Sequence, residues 1–201
     1  MDEVENLDVD NDAGWGELFD AYFVKRIETR YFVPLEAIEK LSKNGGEGFS
    51  AVAIWCSLME FLETTQFGVS FKHNAGVKFE AAQKGCNNYI YGDGNVKDII
   101  CSFLLNSHGN SKALCTTDDE ANSFYSNVRC AVLHDARTTE GWVIWRGNGP
   151  DPIETADELK VVNWVSLRDH LKKVVKELRK SVIECPERRK AFKRKFDALC
   201  D

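Results

Sequence analysis

Phe49-Ser50-Ala51-Val52-Ala53-Ile54-Trp55-Cys56-Ser57-Leu58-Met59-Glu60-Phe61-Leu62-Glu63-Thr64-Thr65 is the stretch on which the fold turns. Its apolar residues follow no two-residue alternation and surround nearly the whole circumference of a helix, which places that helix at the centre of a helical body. Its most apolar part is broken by Ser50, Ser57 and Glu60, so it reads as a buried helix and not as a membrane span. Upstream, Leu18, Tyr22, Ile27 and Tyr31 recur at helical spacing from Trp15, and Pro34 is expected to end that run. Leu35, Ile38 and Leu41 predict a second short helix, stopped by Asn44-Gly45-Gly46.

Downstream, residues 66–94 are punctuated by Asn87-Asn88 and Gly92-Asp93-Gly94 and read as an ordered loop with one or two helical turns. A fourth helix begins near Val96. A fifth starts at Thr117-Asp118-Asp119-Glu120, with acids in its first turn, and is expected to reach Asp135 or Ala136. The period then changes. Gly141–Trp145 and Leu159–Trp164 are short β-like runs, expected to pair as a hairpin about the turn region between them. Leu167, Leu171, Val174, Val175, Leu178 and Val182 form one stripe of a long helix, which Pro186 breaks before a basic tail helix. The expectation is a mainly α chain with an acidic, disordered 1–13 and a single domain over 14–201. A β-like insertion occupies about 141–164 and basic helices about 165–200.

The bulk numbers agree. The 201 residues are 43% hydrophobic and 29% charged, which suits one compact domain. Nothing at the N-terminus resembles a signal peptide and no run is fit to span a bilayer, so the expected location is cytoplasmic, without a membrane partner. Cys56, Cys86, Cys101, Cys115, Cys130, Cys185 and Cys200 include no C-x-x-C pair and read mostly as reduced packing residues. His73, His108, His134 and His170 lack any metal-ligand spacing, so neither a metal nor another cofactor is expected. The formal net charge of −6 is uneven. Eight acids precede Lys25, while Arg168 to Lys195 is rich in bases. That asymmetry permits an anionic partner at the C-terminal end, although a solvated helix face accounts for the same lysines.

The chemistry-bearing segment is Asn127-Val128-Arg129-Cys130-Ala131-Val132-Leu133-His134. On an α-helix, Arg129 and His134 lie roughly 140° apart around the axis and about 7.5 Å apart along it. Asn127 and His134 share a face, with the small Cys130 and Ala131 between them, so two copies of the helix packed together would gather two arginines and two histidines in one cleft. Metal-free RNA cleavage needs that set. A histidine takes the 2′-OH proton or donates one to the leaving oxygen, and an arginine stabilises the phosphorane. Other readings stay open: Arg129 paired with Glu60 or Asp135, His134 capping its helix, and Glu60 bonded to Arg30. Arg137 is either a phosphate contact or an ordinary surface arginine. Trp142 and Trp145 suggest one packed face.

The Arg129-x4-His134 motif resembles the R-x4–6-H motif of the HEPN superfamily. So do Arg30-Tyr31-Phe32-Val33-Pro34, the helix opened by Gly48-Phe49-Ser50-Ala51, and Phe124 to Ala136. The resemblance covers about residues 20–140. It implies an up-and-down helical bundle and a homodimer with a composite site. In active members that site cleaves RNA without metal, often within toxin–antitoxin or antiviral defence systems. It further implies catalytic roles for Arg129 and His134, with Asn127 as a polar neighbour, and an antitoxin or defence protein as partner. Cys130 departs from the pattern, which usually has Asn, His or Asp directly after the arginine. That departure leaves a catalytically silent RNA-binding or regulatory dimer as the alternative.

Overall fold

The computed structural model describes residues 8–11, 13–41, 45–72, 90–147 and 149–200. Among the described residues the chain is mainly helical, with six helices, a small three-stranded sheet and a two-stranded pair.

Helix α1 (15–41) is one continuous run in which α turns alternate with wider π turns at Phe19–Val24 and Glu28–Phe32. Pro34 does not end it, contrary to the sequence expectation. The ring falls in the first turn of the α segment Val33–Leu41, just after a π turn. There a missing N–H costs little, and the wider turn relieves the clash with the preceding carbonyls. The two helices expected on either side of Pro34 are therefore one. Ahead of it, the acidic stretch expected to be disordered is described at residues 8–11 and 13, where the Trp15 indole donates to the Asp8 carbonyl at 3.1 Å. Residues 1–7 and 12 lie outside the described residues.

Helix α2 (Glu47–Phe67) is the centre that its sequence foretold. It packs against all five other helices and against the sheet, and Ala51, Val52, Trp55, Leu58, Met59 and Leu62 are buried on it. It ends at Gly68, whose φ of 66° closes the helix in the left-handed region. A Cβ on Gly68 would lie only 2.4 Å from the Ala191 carbonyl oxygen, so glycine is required both by the turn and by the close approach of the last helix.

After α2, β1 (Ser70–Phe71) pairs in parallel with β2 (Ile90–Tyr91). Residues 73–89, most of the expected loop, lie outside the described residues; the helical turn read into it appears as a 3-10 turn at Asp93–Asn95. Helix α3 (Val96–Leu105) follows. Helix α4 (118–135) is built from Asp118–Phe124, a π turn at Tyr125–Cys130, and Ala131–Asp135. The Thr117 hydroxyl accepts from the Glu120 N–H at 3.2 Å, and the Glu120 carboxylate accepts from the Thr116 N–H at 2.9 Å, so helix-start donors are met reciprocally. The helix stops at Ala136, with φ 51°.

The sheet corrects the expected hairpin. β3 (Trp142–Trp145), β4 (Ile153–Ala156) and β5 (Leu159–Asn163) lie in the order β3-β5-β4. β3 and β5, the two runs read from sequence, pair in parallel, with Val143 opposite Val161. The hairpin is β4–β5, closed by Asp157-Glu158, both at positive φ. β4 is polar enough, as Ile-Glu-Thr-Ala, to have passed for turn. Nor do Trp142 and Trp145 share a face: three apart on a strand they point oppositely, and Trp142 is buried while Trp145 is 63% exposed.

Helix α5 (Trp164–Glu184) buries the expected stripe, Leu167, Leu171, Val174, Val175, Leu178 and Val182, and α6 (Pro186–Cys200) follows the break. Phe192 of α6 reaches an aromatic cluster with Trp15, Phe19 and Phe23 of α1, which joins the two ends of the chain in one core. No helix among the described residues is long and apolar enough to cross a membrane.

Candidate functional site at the end of α4

The residues singled out by spacing sit on the last three turns of α4, and the π turn changes their relations. Five residues apart in an α-helix means opposite-leaning faces, whereas in a π turn residues i and i+5 come onto one face. The Cys130 thiol accordingly lies beside the Tyr125 hydroxyl. Burial first, and that thiol second, push the Tyr125 hydroxyl up to about 12.

Arg129 is half-buried, with its guanidinium carbon 5.6 Å from the centre of the Tyr125 ring. Among the described residues it forms no hydrogen bond and no ion pair. Glu60, one proposed partner, instead accepts from the Tyr91 hydroxyl at 2.7 Å. Asp135, the other, lies 3.9 Å from Arg137, both of them well exposed. None of the Arg129 nitrogens is among the buried atoms lacking a partner, so its fork opens to solvent. His134 is exposed on the final turn, next to Leu133, an apolar side chain that is 49% exposed.

Asn127 is occupied. Its amide nitrogen donates to the Ser123 hydroxyl at 3.2 Å, its amide oxygen accepts from the Thr139 hydroxyl at 2.8 Å, and its backbone carbonyl accepts from the Thr139 N–H at 3.1 Å. The Trp142 indole also donates to Ser123, at 3.0 Å. Asn127 and Ser123 thus fasten the connection after His134, and the start of β3, to the side of α4. The structure brings Arg129 and His134 to one accessible end of a helix, places Arg137 in the loop beyond, and commits Asn127 to the scaffold.

Sequence reasoning passed over a second group of ionisable residues. Glu63 on α2 is fully buried; one carboxylate oxygen accepts from the Ser102 hydroxyl, and the other has no hydrogen-bond partner among the described residues and lies 4.0 Å from Nε2 of His108. Burial raises the Glu63 carboxyl to about 7 against the opposing pull of the Ser102 hydrogen bond and of Arg188. His108 stacks on Phe103 with ring centres 4.5 Å apart, its Nε2 is 3.2 Å from the Phe103 carbonyl, and burial holds its pKa down. His170, on α5, is held at about 4 by burial and by the nearby His108. The group lies beneath a cleft of about 430 Å³ whose walls include Gln66, His108, Asn110, Glu177, Ser181 and Arg188. Glu63 was visible as a carboxylate on an apolar helix, but its histidine neighbours come from loop and helix far along the chain.

The basic tail, open from sequence to an anionic partner, is largely spent inside the molecule. Arg188 donates to the Gln66 carbonyl at 2.8 Å, Arg194 to the Phe67 carbonyl at 3.2 Å, and Lys195 to the Val69 carbonyl at 2.8 Å and the Thr64 hydroxyl at 3.1 Å. These cations meet the negative end of the α2 dipole and its unpaired carbonyls. Burial brings Lys195 down to about 8. Cys56 and Cys115 are buried free thiols, as packing cysteines would be. Among the described residues no group of three or more His, Cys, Asp or Glu side chains is placed to hold a metal ion. No family model, no curated protein and no solved structure matches the chain.

Proposed function

We propose that the chain is a HEPN-type, metal-independent endoribonuclease acting as a homodimer. His134 serves as general acid or base and Arg129 binds the phosphate and stabilises the phosphorane. The observation that carries this reading is the unspent guanidinium of Arg129, on the same helix end as an exposed imidazole. Three other arginines of the fold are spent on carboxylates: Arg179 grips Asp20 with two bonds of 2.7 Å, and Arg146 and Arg168 both bind Glu39. An arginine without a carboxylate keeps its whole charge and its fork of donors for an anion. An imidazole can take up or give a proton, and His134 is exposed to a 2′-OH. In this reading Arg137 reaches the RNA backbone beyond the scissile phosphate, and Asn127 acts by holding the connection that follows His134. A second copy covers Leu133 and brings the two α4 ends together. The biological setting that goes with such a nuclease is a toxin or a defence component restrained by a protein partner.

The second reading, a catalytically silent RNA-binding or regulatory dimer at the same groove, draws its support from Cys130. Its thiol is turned to Tyr125 and supplies no hydrogen-bonding group beside Arg129 comparable to an amide or a carboxylate. Incubation of a labelled RNA with the protein in EDTA separates the two. Chain cleavage that disappears in His134→Ala is the expected result. Intact RNA at high protein concentration leaves the silent reading, and a monomer in sedimentation removes the composite site.

A further inference from the structure

The same site poses a question of position that its two named residues do not answer. Arg129 has three flexible methylenes and no hydrogen-bonded partner among the described residues, yet catalysis by an arginine requires the fork to be aimed before the phosphate arrives. Immobilising such a side chain on binding costs conformational entropy. Proteins commonly meet that cost with a carboxylate, as Asp20 does for Arg179 here. A carboxylate, however, also takes up the donors and cancels much of the charge that an anionic ligand would use. An aromatic face holds a guanidinium by its quadrupole and leaves the donors free.

We infer that Tyr125 is a positioning residue, which holds the Arg129 guanidinium against its ring so that the cation is pre-aimed and still unneutralised for an RNA phosphate. The inference rests on the reading proposed above. Three observations meet in it. The guanidinium carbon stands 5.6 Å from the Tyr125 ring centre, within cation–π range. Tyr125 opens the π turn Tyr125–Cys130 that contains Arg129, so both residues belong to one local device, and π turns recur at functional sites. The Cys130 thiol, five residues on in the same turn, lies near the hydroxyl end of that ring.

Fluorination of the ring tests this without changing its shape appreciably. Tyr125→Phe is the reference, and mono-, di- and trifluorophenylalanine at position 125 drain the ring face of negative charge in steps. Affinity for a 2′-O-methyl RNA oligonucleotide, which resists cleavage at its own 2′ positions, is the readout. Affinity should fall stepwise, by about three- to tenfold across the series, for a cation–π contact of ordinary strength. The slope should vanish in an Arg129→Ala background. A packing role for Tyr125 predicts a flat series in both backgrounds. Binding by the wild type with a flat series overturns the role of Tyr125 and leaves the proposed function standing. A wild type that neither binds nor cleaves RNA overturns the proposed function and the inference with it.

Discussion

At the scale of single residues, the two positions that decide most are a buried carboxyl and a glycine. Glu63 keeps its proton to about pH 7 in the folded chain, against an ordinary value of 4.5. The folded state therefore binds more protons than the unfolded one between those limits, and Glu63 makes stability fall as pH rises from about 4.5 to about 7. His170 acts oppositely: held at about 4 against an ordinary 6.5, it makes stability rise with pH across that window. The two offset each other below pH 6.5, and the Glu63 loss emerges above it. Glu63→Gln keeps an acceptor for Ser102 and removes the ionisation. Denaturant titrations at pH 5.5 and pH 8 should show the variant gaining about 2 kcal/mol on the wild type at the higher pH; equal differences at both would refute the buried ionisation. Gly68→Ala forces a side chain into positive φ and onto the Ala191 backbone. It should cost about 2–4 kcal/mol in the same measurement, through the strained turn and the overlap together. A loss below 1 kcal/mol would show that α6 moves aside.

At the scale of elements, the legible parts were those with a strong period, and the illegible ones depended on partners distant in sequence. The α2 segment has apolar residues on all sides and could lie nowhere but the centre. The α5 stripe and the Thr117 start were equally plain, because a 3.6-residue repeat and a cap are local properties. Three things were not local. The π turns shift register by a residue without any mark in composition, so Tyr125 and Cys130 could not be placed together by counting at 100° per residue. Pro34 was read as a stop because the wide turn before it is invisible in the sequence. The parallel pairing of β3 with β5 depended on recognising β4, whose Glu154 and Thr155 conceal a strand. Arg129 and His134 were found by spacing; Tyr125 stood in the quoted pattern without a role, and the basic tail looked like a surface because its carbonyl partners belong to the end of α2. The β4–β5 turn offers a direct check. Asp157 and Glu158 both hold positive φ in a two-residue loop, the geometry that Asn-Gly favours. Asp157→Asn with Glu158→Gly should raise stability by about 0.5–1 kcal/mol, read as a shift of the denaturation midpoint. A lower midpoint would contradict the assigned turn.

At the scale of the whole molecule, the fold separates support from chemistry. Helices α1 and α6 close on each other through Trp15, Phe19 and Phe192, and Arg188, Arg194 and Lys195 of α6 cap α2, so part of the tail's positive charge is structural. What remains accessible at the end of α4 is one guanidinium beside an aromatic ring and one imidazole, with the exposed Leu133 next to them. The proposed reaction follows from those groups: a 2′-OH attacks its own phosphate while histidine moves the proton and arginine carries the charge of the phosphorane. That route leaves a signature in the products. The most direct measurement is the chemistry of the new ends when an RNA and its counterpart with 2′-deoxy substitution at the cut position are incubated with the protein in EDTA. The account predicts 2′,3′-cyclic phosphate and 5′-hydroxyl ends from the RNA, no cutting of the 2′-deoxy substrate, and loss of all product with Arg129→Ala or His134→Ala. Cleavage at the 2′-deoxy position, or undiminished product from either variant, would contradict it.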